Sequence, residues 1–124
     1  MSKSATSVFV FGVYLVFLGL LLVMVPNVLL RIFGFASTTE VWVRVVGVLV
    51  LCLATYYVLA ARREMVEFFQ WTVRVRAFVF VCLAAFSVLK LAVPALALFG
   101  CVDLLGAVWT ALCVRQSRSP VAAK

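Results

Sequence analysis

Four apolar runs separated by short polar punctuation make up most of this 124-residue chain, at residues 8–25, 41–61, 73–93 and 95–114. A helix rises about 1.5 Å per residue, so about 20 residues carry it across a hydrocarbon layer about 30 Å thick. Each run meets that length. The pattern predicts one domain over residues 1–124, an all-α integral membrane protein built as a four-transmembrane-helix bundle.

The punctuation marks the helix ends. Pro26 and Asn27 stop the first helix. Ser37, Thr38, Thr39 and Glu40 read S-x-x-E, a capping box that would start the second. Arg62, Arg63 and Glu64 mark where the second helix leaves the membrane. The stretch that follows to Trp71, with Glu67, Phe68 and Phe69, is expected to lie along the membrane surface. Pro94 separates the third and fourth helices in a turn so short that the two must be antiparallel neighbours.

Small residues recur at every seventh position: Ala5, Gly12 and Gly19; Gly47, Ala54 and Ala61; Ala77 and Ala84; Gly100 and Ala107. In lipid, helices associate through close backbone approach at such positions, and a seven-residue period implies shallow left-handed crossing. The two halves also share an order of residues. Val25-Pro26, Leu29-Leu30, Phe33-Gly34, Glu40 and Gly47 in the first answer to Val93-Pro94, Leu96, Phe99-Gly100, Asp103 and Gly106 in the second. That order suggests an internal repeat of two parallel helical hairpins.

Composition closes off the soluble alternative. Only 12% of residues are charged against 68% hydrophobic, too few to coat a globule. The net charge of +7 comes from Lys and Arg that flank the apolar runs, so the partners expected are membrane lipids with anionic headgroups, not nucleic acid. Lys3, Arg62, Arg63, Arg74, Arg76, Arg115, Arg118 and Lys124 fall on one side, against Arg31, Arg44 and Lys90 on the other. Eight to three places both termini in the cytoplasm and the chain in a plasma membrane as a multi-pass protein. Trp71, Phe68 and Phe69 would form the inner aromatic belt and Trp42 the outer one. The first run is longer than a signal-peptide core and no A-x-A-like site precedes Pro26, so it reads as an uncleaved helix.

Candidate chemistry is sparse. The chain has no histidine and no C-x-x-C, and Cys52, Cys82, Cys101 and Cys113 all lie in apolar runs as packing residues. No metal, no cofactor and no catalytic residue is expected, and no serine or cysteine has a visible activator. Four charges stand in costly places. Asp103 lies well inside the fourth helix, Arg44 one turn inside the second with Glu40 four residues before it, and Lys90 one turn before Pro94. Together Asp103, Arg44, Glu40 and Lys90 would gather in the outer half of the bundle. Two readings are open at this point: a pocket for a ligand, headgroup or ion, or a salt-bridge network that fixes helix register. Tyr56, Tyr57, Trp109 and Thr110 are candidates for a second cavity.

With its glycine-containing first helix Gly12-Val13-Tyr14-Leu15-Val16-Phe17-Leu18-Gly19, the chain resembles the small four-helix bacterial membrane proteins typified by the DoxX-like family. The resemblance implies the bundle architecture and an inner-membrane location, and transfers no functional residue. A more distant similarity is to the sigma-2 receptor and emopamil-binding families, which enclose a sterol-like ligand with buried acids, a part Asp103 would take. The first-helix glutamate of small multidrug transporters is missing. The function expected is that of a non-enzymatic membrane component or accessory subunit, packing on its own copies or in a larger membrane complex. The alternative is an oligomeric protein that binds or transports a small molecule or lipid through the charged cluster.

Overall fold

The computed structural model describes residues 2–90 and 96–118, with the backbone alone at 96, 97, 117 and 118. Five helices follow one another: α1 Lys3–Met24, α2 Pro26–Ile32, α3 Trp42–Arg62, α4 Val66–Val88 and α5 Leu96–Arg118. Four of them are long and apolar enough to cross a bilayer, and α2 is a seven-residue connector. The protein is an all-α, four-helix membrane bundle. The turn expected at Pro94, with the Val93-Pro94 portion of the suggested repeat, lies outside the described residues.

The packing is that of two pairs. α1 lies mainly against α3 and α4 against α5; α1 also touches α5, whereas α3 and α4 make little contact although they are consecutive. The seven-residue spacing explains the first pair. Ala5, Gly12 and Gly19 of α1 and Gly47, Ala54 and Ala61 of α3 are all buried. The approach is close enough that a Cβ at Gly19 would stand 2.7 Å from Leu51 Cγ, and one at Gly47 would stand 3.0 Å from the Val23 backbone nitrogen. Between helices in lipid, where burial away from water adds little, such backbone approach supplies the contact.

Helix ends depart from the pattern in ways the local chemistry explains. α1 begins five residues earlier than expected, at Lys3, because Ser2 caps it: its Oγ accepts from the Ala5 N–H at 3.1 Å. Pro26 does end α1, but it also opens α2, where its missing N–H costs nothing. α2 closes on Gly34, whose φ of 79° and the 2.8 Å bond from the Phe35 N–H to the Leu30 carbonyl form a left-handed C-terminal cap. The Ser37/Glu40 capping box does not form. α3 starts only at Trp42, and Thr38 is drawn into the loop instead, donating its N–H to Asn27 Oδ1 at 2.9 Å and accepting from the Glu40 N–H at 3.1 Å.

The segment 62–71 is not a surface strip. After a tight turn at 63–65, α4 starts at Val66 and Phe69 is fully buried. The turn has Glu64 at φ 55°, with the Met65 N–H bonded to the Ala60 carbonyl at 3.1 Å. Its carboxylate reaches the start of α1, accepting from the Ser2 N–H at 2.7 Å and the Ser2 hydroxyl at 2.6 Å. Those two bonds hold the Glu64 carboxyl below its ordinary value.

Candidate functional site

Arg76 is the largest fully buried side chain among the described residues, only 2% exposed. It lies on the stripe Phe69, Thr72, Arg76, the three buried residues of α4, at the helical spacing that puts one face inward. Its Nη2 donates to Thr110 Oγ1 of α5 at 2.9 Å and to Thr72 Oγ1 at 3.3 Å, and its Nε donates to the Thr72 carbonyl at 3.3 Å. The guanidinium carbon stands 4.6 Å from the Phe11 ring centroid and 5.8 Å from that of Tyr57. Aromatic faces are favourable partners for a desolvated cation.

The direction of the bonds beyond Thr110 is fixed by counting hydrogens. Ser7 spends its one hydroxyl hydrogen on the Ser4 carbonyl at 2.7 Å. Thr110 must then donate in the 2.9 Å contact with Ser7 Oγ, and its oxygen is free to accept from Arg76. A one-way relay, Arg76 to Thr110 to Ser7 to the α1 backbone, therefore ties α4, α5 and α1 together. Arg76 Nη1 is buried without a hydrogen-bond partner among the described residues. It packs where Gly106 has no side chain, 2.9 Å from the place a Cβ would occupy.

Asp103 lies two turns into α5 and is half-buried. It lines a cavity of about 410 Å³ whose other walls are apolar apart from Tyr14. α1 gives Leu15, Leu18 and Leu22, α3 gives Val46, Val50 and Leu53, and α4 gives Val79 and Leu83. Leu29, Leu30, Phe33 and Phe99 close the end nearest α2. The Phe33 and Phe99 rings meet with centroids 4.4 Å apart and also border a second apolar cavity of about 260 Å³ on the α5 side. The larger cavity is not sealed: Val46 and Leu53, in its α3 wall, are 50% and 46% exposed. Asp103 makes no ion pair among the described residues, although it is near enough to Tyr14 and Arg76 to act on both electrostatically.

The structure does not gather the other three charges around Asp103. Arg44 is exposed and its Nη1 donates to the Val23 carbonyl, one of the unsatisfied acceptors at the end of α1. That position complements the negative end of the α1 dipole. Glu40 is exposed and precedes α3, so the helical i, i+4 relation to Arg44 does not exist. Lys90 is exposed beyond the end of α4, at φ 59°.

The second set of candidates separates by geometry. Neighbouring helical positions point about 100° apart. Tyr57 is buried, with ring centroids 5.5 Å from both Phe11 and Phe68, whereas Tyr56 is 61% exposed. Thr110 is fully buried and Trp109 is exposed. Tyr57 and Thr110 thus meet around Arg76, and the four do not line one cavity. Reading Arg76 as an interfacial topology signal is corrected for the same reason: Arg74 is exposed, but Arg76, two positions on, turns into the bundle. The stripe Phe69, Thr72, Arg76 and the hydroxyls Ser7 and Thr110 were the available signal.

No family model, no curated protein and no solved structure matches this chain.

Proposed function

We propose that this chain is a non-enzymatic, multi-pass plasma-membrane protein that holds a lipophilic small molecule in the Asp103 cavity. The observation that carries the reading is a single carboxylate in an otherwise apolar cavity of small-molecule size. An ionised carboxylate within a transmembrane helix costs about 2.5–3.5 kcal/mol on insertion scales. A ligand with an apolar body and one strong donor, a protonated amine or a hydroxyl, offsets that cost. Tyr14, the cavity's other polar residue, supplies a hydroxyl for the same end of the ligand. The half-exposed α3 wall at Val46 and Leu53 gives such a molecule a route from the bilayer without passing through water.

Both termini are cytoplasmic in this reading. Removing the buried Arg76 from the eight cations counted on that side leaves seven against three, and the positive-inside bias persists.

Native mass spectrometry of protein released directly from membranes tests the proposal. A non-phospholipid adduct is expected on the wild type and on Val48→Trp, which changes an exposed α3 residue away from both the cavity and its wall at Val46 and Leu53. It should be lost in Leu18→Trp, which fills the cavity. Retention of the same adduct by a folded Leu18→Trp variant would sink the assignment.

A further inference from the structure

A second feature lies at the end of the bundle where α4 begins and α5 finishes. Gln70, Val73 and Arg74 of α4 and Ala111, Val114 and Arg115 of α5 line a groove of about 210 Å³. Both arginines are exposed, and the described residues give neither a hydrogen bond nor an ion pair. Among the described residues no carboxylate lines the groove.

Its position suits a lipid. The apolar run of α5 gives way to polar residues after Val114, so Arg115 sits at the level where hydrocarbon gives way to headgroups. Arg74 faces it from the neighbouring helix with a side chain long enough to snorkel to the same level. The rim is cationic and the floor, Val73, Ala111 and Val114, is apolar. A guanidinium binds phosphate oxygens in a bidentate fork, and two from adjacent helices can clamp one phosphodiester. The Gln70 amide offers a further donor, and the floor accepts the first methylenes below the headgroup.

We infer that the α4–α5 groove is a binding site for the phosphodiester of an anionic bilayer phospholipid, held between Arg74 and Arg115. A zwitterionic headgroup is disfavoured because its ammonium would face two cations with no acid to meet it. The site is separate from the Asp103 cavity, and neither reading depends on the other.

The test is native mass spectrometry of the purified full chain with equal amounts of phosphatidylglycerol and phosphatidylcholine. The wild type should retain phosphatidylglycerol in preference by about five- to tenfold, the scale set by one basic residue at a charged surface. Arg74→Gln with Arg115→Gln should abolish the preference, whereas Arg62→Gln with Arg63→Gln, in the exposed turn, should keep it. Ala111→Trp retains both charges but fills the groove floor, and should also lose it. An unchanged preference in either groove variant overturns the assignment, as does equal retention of inorganic phosphate offered in place of the lipid.

Discussion

Arg76 and Thr110 meet across α4 and α5 through a 2.9 Å hydrogen bond inside the bundle, and that bond decides how the buried charge is tolerated. Among the described residues Thr110 alone accepts from the guanidinium and passes a hydrogen on to α1 through Ser7. Thr110→Val keeps the shape but removes an acceptor from a buried cation, which should cost about 1–3 kcal/mol. Arg76→Met should cost less, because Thr72 still donates to the Phe69 carbonyl and Thr110 to Ser7, so no polar group is stranded. In the Arg76→Met background Thr110→Val should become nearly harmless. Thermal melting of the four proteins in one detergent measures the coupling; equal costs for Thr110→Val in both backgrounds would show that the bond has no such role.

The α1–α3 seam makes a graded prediction. A Cβ at Gly47 would stand 2.8 Å from Leu22 Cβ, whereas one at Gly100 would come no nearer than 3.3 Å, to Phe80 Cδ2. Gly47→Ala should therefore destabilise by about 1–3 kcal/mol. Gly100→Ala should be close to neutral, its tighter contact offset by a gain in helix propensity of about 1 kcal/mol. The same melting assay separates them, and a reversed order would contradict the packing described.

The tether between Ser2 and Glu64 should depend on pH. Folding holds the Glu64 carboxyl below its ordinary value of 4.5, chiefly through the side-chain and backbone bonds from Ser2. The unfolded chain therefore takes up this proton first as the pH falls. The stabilisation is complete above about 4.5 and is lost as the pH drops through the lower folded value. Glu64→Ala should speed hydrogen exchange in the first turn of α1 relative to wild type at pH 7, and the ratio should fall toward one as the pH drops through the lower folded value. A ratio independent of pH would mean that the ionised carboxylate does not hold that end.

Orientation is checked by single cysteines in a background lacking the native four. The Arg63→Cys site, in the α3–α4 turn, and the Ala36→Cys site, between α2 and α3, are both exposed and lie at opposite ends of α3. An impermeant maleimide applied to intact cells should label only Ala36→Cys. Labelling of Arg63→Cys alone would invert the assigned topology.

The apolar runs carried the four helices openly, because a spanning helix must satisfy its backbone internally and be apolar over a fixed length. The small residues of α1 and α3 were equally legible, since their spacing is the seam itself. The charges were not. Arg44 was read as part of a cluster with Glu40, Lys90 and Asp103 because the sequence does not show that α1 ends beside it with free carbonyls. Arg76 was read as a headgroup contact because proximity to a helix end and burial against another helix look alike in one dimension. Its partner Thr110 and the next link of the relay, Ser7, are 103 residues apart, and only the fold brings them together. Asp103 stood out in the sequence as a charge well inside the fourth helix, but the cavity beside it is formed by residues from all five helices and the α2–α3 loop.

Photolabelling tests the central claim about the Asp103 cavity most directly. A long-chain amine bearing a diazirine in its apolar tail is added to membranes containing the protein, and the adducts are mapped by peptide mass spectrometry. Adducts are expected at cavity residues such as Val50, Leu83 and Phe99, and should disappear in Leu18→Trp. Labelling spread evenly over outward positions such as Phe78, Val81 and Leu105, unchanged by Leu18→Trp, would contradict a ligand-holding cavity.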